Sequence, residues 1–156
     1  MDWRVSAVFP HESKGKGEPI ANSVAFNHDG SLCASSHQQG IIDLYSCERG
    51  ERESVFHSKE VGCGLIQFTH HPMCTLHAAT TRDAKRSGLI SYHSLYDNKI
   101  MRFFKGHNMP VTSIAVSPKD DVFLSSAGDR KIILWDLRTP VPQVGISFFN
   151  VQRVMK

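Results

Sequence analysis

No stretch of this 156-residue sequence repeats its apolar residues at helical spacing over any useful length, which argues against helical bundles and helix-rich α/β folds. No apolar run approaches the ~18 residues of a membrane-spanning helix, so no membrane association is expected. There is no lipidation motif, no Gly-rich phosphate loop ahead of a helix and no Gly-x-Ser-x-Gly elbow. Cysteine is scarce: Cys33, Cys47, Cys63 and Cys74 form no Cys-x-x-Cys pair. Residues 1–20 carry charges throughout and do not read as a signal peptide, so the four thiols are expected in a reducing intracellular compartment. The formal charge is only +3. That is too weak to imply sequence-specific nucleic-acid binding, but it suits a phosphorylated or acidic partner.

What is present is a series of short apolar runs separated by turn residues, the pattern of an all-β chain. The runs repeat. "VTSIAVSPKDDVFLSSAGDRKIILWDLR", from Val111, reads strand, turn, strand, turn, strand. "ANSVAFNHDGSLCASSHQQGIIDLYS", from Ala21, lies over it at an offset of 90, Phe26 on Val116 and Gly40 on Arg130. A middle copy fits between them, "LIQF" offset by 42 from the first copy and "GLISYHS" by 48, with the extra residues in "TTRDAKRSG". "ERESVFHS" and "NKIMRFFKG" supply a fourth strand to the first two units. Four strands in about 40–45 residues is the unit of a β-propeller blade. Blade units are expected at about 20–57, 60–104 and 107–143, with a closing strand at 3–9 and a divergent tail at 144–156.

"GH" at 106–107 and "WD" at 135–136 give the third unit the signature of WD-repeat propellers, which it resembles. That resemblance implies a buried relay of His107, Ser125, Asp129 and Trp135 tying the blade's strands together. Such a network stabilises only when every member is satisfied. Tyr45 and His93 stand where Trp would in the other units, and neither unit has a Gly-His pair. Those blades are expected to form by strand pattern alone.

"HHPMCTLH" places His70, His71, Cys74 and His77 within eight residues, all of them able to bind metal. The repeat alignment puts His70 and His71 in a turn and Cys74 to Ala78 on a half-buried strand. Cys74 and His77 then point to opposite sides. Zinc needs converging ligands, so no metal site and no cofactor are expected here. In "SSHQQ" at 35–39, adjacent Ser and His side chains face opposite ways, and no catalytic pair is read from them.

"SKEVGCGLIQFTHHP", "LYDNKIMRFFKGH" and "VSPKDDVFLSSAGDRKIILWDLRTPVPQ" resemble a narrower group, over roughly residues 3 to 143. This is the WD-repeat subunit family of COMPASS-type histone lysine methyltransferase complexes, the Swd-two-like family. The resemblance implies a seven-bladed, non-catalytic nuclear adaptor. Its implied partners are histone methyltransferase complex subunits, the phosphorylated RNA polymerase II C-terminal repeat, and phosphatase or cleavage–polyadenylation complexes. A general WD-repeat scaffold in signalling or RNA processing is the alternative, as is a non-functional truncated isoform; an enzyme acting through His70, His71 and Cys74 is a third reading.

Positive charge gathers at Arg82, Lys85 and Arg86, at Lys99, Arg102 and Lys105, and at Arg130 and Lys131. Arg82, Lys85, Arg86, Arg102, Lys105, Arg130 and Lys131 are candidate phosphopeptide or partner contacts, because guanidinium groups bind phosphoryl oxygens in pairs. The competing reading is solvated edges and loops. Seven blades need about 300 residues, and the sequence holds three. The expectation is a truncated product with two open blade faces. Val24, Phe26, Ile41 and Leu44 would lie on one of them, and Ile114, Val116, Ile132 and Leu134 on the other.

Overall fold

The structure is a computed structural model that describes residues 20–58, 62–80, 83 and 86–147. Within them the chain is all-β, and no helix is long and apolar enough to cross a membrane. The first sheet contains β1 (Ala21–Phe26), β2 (Leu32–His37), β3 (Ile41–Ser46) and β4 (Glu51–His57). The second contains β5 (Ile66–Phe68), β6 (Cys74–Ala78), β7 (Leu89–Ser94) and β8 (Lys99–Lys105). The third contains β9 (Val111–Val116), β10 (Val122–Ala127), β11 (Lys131–Asp136) and β12 (Val144–Ser147). Each sheet is an antiparallel meander in chain order, one four-stranded blade. Strand β5 touches both β1 and β9, so the first strands of the three blades lie side by side.

The registers make the blades superimposable residue by residue. Cys33, Thr75 and Phe123 pair with Tyr45, His93 and Trp135. Ser35, His77 and Ser125 pair with Asp43, Ser91 and Ile133. On the other faces Ile42, Ile90 and Ile132 pair with Phe56, Phe104 and Ile146. Strand β12 begins at Val144, where the divergent tail was expected, and supplies the third blade's fourth strand. The strand expected at 3–9 and residues 148–156 lie outside the described residues.

Two apolar layers hold the arc together. Ala25, Ala34, Ile42, Leu44 and Phe56 of the first blade meet Ile66, Phe68 and Leu95 of the second. Leu76, Ala78, Ile90 and Phe104 of the second meet Ile114, Phe123, Ile133 and Trp135 of the third. The middle sheet is covered on both sides, which is why β6 is not half-buried as the alternation suggested: Thr75 to Ala78 are all buried. For the same reason Leu44 and Ile114, expected on open faces, are buried between blades. Polar ties cross the blades as well. Asn22 donates to the Cys63 carbonyl at 2.9 Å, the Ser36 hydroxyl donates to the Gly64 carbonyl, and His70 Nε2 stands 2.9 Å from the Asp120 carbonyl.

The turn between the second and third strands needs a left-handed residue. Gly40 takes it in the first blade at φ +74°, and Arg130 takes it in the third at φ +62°. A Cβ on Gly40 would stand 2.6 Å from the Ser58 carbonyl oxygen. Gly40→Ala is therefore expected to cost about 1–3 kcal/mol, whereas Arg130→Gly should change stability by no more than about 1 kcal/mol. Paired urea denaturation curves would check this; equal losses in the two variants would contradict it.

Candidate functional site

The third blade brings His107, Ser125, Asp129 and Trp135 into one connected set. His107 precedes β9, Ser125 is on β10, Asp129 is in the turn and Trp135 is on β11. His107 Nδ1 lies 3.1 and 3.2 Å from the two Asp129 carboxylate oxygens, and its Nε2 lies 2.8 Å from Ser125 Oγ. Trp135 Nε1 donates to the same Ser125 oxygen at 2.8 Å. Asp129 also accepts from the backbone amides of Asn108 and Lys131, each at 3.1 Å. Burial acts to raise the Asp129 pKa, but those amides and the His107 ring outweigh it and hold the carboxylate below its ordinary range. The indole is fully buried, stacked on Phe123 and edge-on to Phe104 of the second blade. The relay therefore links four segments of its own blade and presents its aromatic end to the neighbour.

The first blade does not rely on strand pattern alone, and the second buries two histidines at the relay positions. In the first, His37 Nε2 stands 3.0 Å from Ser35 Oγ and 3.0 Å from Asp43 Oδ2, with the Arg52 guanidinium 3.6 Å from the other carboxylate oxygen. Ser36 and His37 do face opposite ways, but Ser35 and His37 share a side. In the second, His77 and His93 occupy the Ser and Trp places, with ring centroids 5.5 Å apart, edge to face. Neither His77 ring nitrogen has a hydrogen-bond partner. Burial, with the neighbouring His93, pushes the His77 pKa down to about 3. Burial also lowers that of His93, whose Nε2 stands 3.0 Å from Asn98 Oδ1.

The residues of "HHPMCTLH" do not converge. His70 is engaged with the Asp120 carbonyl of the next blade, His71 sits exposed in the turn, and Cys74 and His77 are on opposite sides of β6. Among the described residues no group of three or more His, Cys, Asp or Glu side chains is placed to hold a metal.

The basic candidates separate. Lys105 ends β8 opposite Leu89, Arg86 lies in the turn just before Leu89, Arg130 lies in the turn just before β11, and Lys131 opens β11. All four belong to the rim where the third strand of each blade begins. Arg130 and Lys105 are exposed, Lys131 is half-buried, and exposed Arg86 sits 3.9 Å from Asp83. Arg102 differs. Its guanidinium donates to the Leu137 carbonyl and so ties the second blade to the third, which sets it apart from the basic residues of the rim. Arg82 and Lys85 lie outside the described residues.

Comparison with known proteins agrees with this geometry. Residues 98–136, which contain the whole relay, match the family model described as "WD domain, G-beta repeat". The chain is 40% identical over 118 residues to Set1 complex component swd2 of Schizosaccharomyces pombe, covering 76% of this chain and 32% of that protein. It is 39% identical over 119 residues to WD repeat-containing protein 82 of Drosophila melanogaster, covering 76% and 36%. The chain belongs to the Swd2-like WD-repeat family. COMPASS component SWD2 of Saccharomyces cerevisiae is 31% identical over 122 residues, with 78% and 36% covered. The chain thus spans about a third of the length of these relatives. A chain in a crystal structure of the mitotic checkpoint complex superimposes with a TM-score of 0.71 at 22% identity, over 83% of this chain and 37% of that one, which establishes likeness of fold.

Within this WD-repeat chain, reading the sequence for the relay missed the polar cluster of the first blade. The signal was present: Ser35 and His37 are two apart on one strand, and Asp43 lies opposite Ser35. It went unread because Asp43 takes a position that is Ile133 in the third blade and Ser91 in the second, so the family motif gives no cue there.

Proposed function

We propose that these three blades are part of a non-catalytic adaptor that acts in a Set1/COMPASS-type chromatin-modifying complex. The observation that carries this reading is the identity with Set1 complex component swd2, 40% over 118 residues spanning most of the blades. The buried relay supports it, since His107, Ser125 and Asp129 are spent on holding strands and offer no reacting group to solvent. A nuclear location follows from the reading, as do protein partners: methyltransferase complex subunits and assemblies of transcription termination, such as phosphatase or cleavage–polyadenylation complexes.

The contact proposed for the phosphorylated RNA polymerase II C-terminal repeat is the basic rim formed by Arg86, Lys105, Arg130 and Lys131. Strand ends and the turns beside them hold these groups at one rim, and guanidinium and ammonium groups there suit phosphoryl oxygens. Fluorescence anisotropy with a serine-phosphorylated heptad peptide tests it. Lys105→Ala combined with Arg130→Ala is expected to weaken binding about tenfold, roughly 1.4 kcal/mol, with the unphosphorylated peptide weak throughout. Equal affinity of the double variant and the parent would overturn the rim as the contact. Affinity purification with mass spectrometry tests the adaptor reading separately; recovery of no methyltransferase subunits would count against it.

A further inference from the structure

Beside the basic rim, nearer the line where the first strands of the blades meet, the surface holds a recess of about 350 Å³. Ala78, Ala79 and Val111 form its buried floor, half-buried Leu65 forms a wall, and exposed Thr80 and Pro110 form its lip. Asn22 of β1 reaches it from the first blade, with its side-chain amide already donated to the Cys63 carbonyl. None of the described residues that line it is charged. Small residues make the room: Ala79 stands two residues beyond His77, where the first blade has His37 two residues beyond Ser35.

Rim and recess are built by the same turns. The Gly128 amide donates to the Pro110 carbonyl at 3.1 Å, and Gly128 leads through Asp129 to Arg130. The Ala79 amide donates to the Leu89 carbonyl at 2.9 Å. Leu89 in turn donates to the Arg86 carbonyl and lies opposite Lys105. Strands β9 and β11 flank β10, so about 10 Å separates them. An extended segment covers that distance in about three residues. The chemistry of the recess selects what such a segment would place in it. An uncharged apolar recess of this size suits an aromatic anchor. Met109, 49% exposed, directly precedes the lip at Pro110 and lies over Gly128. A thioether there makes favourable contact with the edge of a ring.

We propose that this recess is a subsite for an aromatic side chain of the phosphorylated segment that the rim binds, about three residues from the phosphoserine. The subsite rests on the phosphopeptide reading of the rim, and it adds a second residue to what that surface recognises.

Fluorescence anisotropy tests it with peptides of equal charge that carry one phosphoserine and either tyrosine or alanine, placed about three residues before or after it. In one of the two orders the tyrosine peptide is expected to bind about tenfold more tightly than its alanine counterpart. Thr80→Trp, at the exposed lip, should remove that preference and leave the alanine peptide unchanged. Met109→Ser, also at an exposed position, serves as the second variant if Thr80→Trp loses its circular dichroism spectrum. N-acetyltyrosinamide carries no phosphate and probes the recess apart from the rim. It should shift the Met109 methyl resonance in a carbon–proton NMR titration, and Thr80→Trp should abolish the shift. Equal affinity for tyrosine and alanine peptides in both orders, with phosphorylation still required, would overturn the subsite and leave the rim standing. A tyrosine preference that survives both variants would also overturn it. A Met109 shift that Thr80→Trp abolishes, with binding indifferent to phosphorylation, would support the aromatic subsite and overturn the rim. Absence of both peptide binding and the Met109 shift would overturn both.

Discussion

Trp135→Ala is expected to lower the stability of the folded chain by about 3–5 kcal/mol, the range for emptying the space of a large buried aromatic. The indole is fully buried and packs on Phe104 and Phe123, so its loss opens the layer between the second and third blades. Its removal also takes a hydrogen bond from Ser125 Oγ in a buried setting. Trp135→Phe separates these contributions: most of the packing stays and the N–H goes, so a loss of about 1–2 kcal/mol is expected. Asp129→Ala strands His107 Nδ1 and two backbone amides, and should cost about 1–3 kcal/mol. Denaturant midpoints for the three variants check the order. If Trp135→Ala and Asp129→Ala both melt with the parent, the relay does not contribute to holding the third blade.

Acid is expected to destabilise the chain through the second blade. His77 is buried with a pKa near 3, against an ordinary value of 6.5. The unfolded chain therefore takes up a proton below pH 6.5 that the folded chain refuses until about pH 3. The stability associated with the neutral ring is present in full above about pH 7 and falls as the pH drops through that window. By pH 4 the difference amounts to about 3 kcal/mol. The groups around the ring do not relieve this: His93 repels a second positive charge, and Ser91 and Ile66, its partners on β7 and β5, bring no negative charge. His77→Gln keeps the size and removes the titration, so its urea midpoint should depend much less on pH between 7 and 4. An undiminished acid slope in that variant would assign the effect to other groups.

The blades themselves were legible in the sequence because a strand announces itself locally. Alternation over six residues, a Gly or Asp turn and a period of about forty residues are enough to set β9 to β11 beside β1 to β3, and the registers follow that alignment. The relay was legible for the same reason, since His107, Ser125, Asp129 and Trp135 stand at motif spacing. The fourth strand of the third blade was not. "VGIS" has little alternation of its own, and it becomes β12 because β11 offers an unpaired edge that Val144 to Ser147 can satisfy. Arg102 likewise reads as one more exposed cation, and only the approach of the third blade gives its guanidinium the Leu137 carbonyl.

The sequence by itself determined that the chain is all-β, that it repeats three times, and which residues alternate to opposite sides of each strand. Only the tertiary structure decided which sides are covered. Burial depends on what stacks against a sheet, and no periodicity within a blade carries that information. Leu44 and Val24 have the same kind of alternating surroundings, yet Leu44 is sealed under the second blade and Val24 is open. The same stacking buries His77 without a hydrogen-bond partner, because a histidine at a serine's place meets only His93 of its own blade and the apolar layer shared with the first blade, with no carboxylate among them.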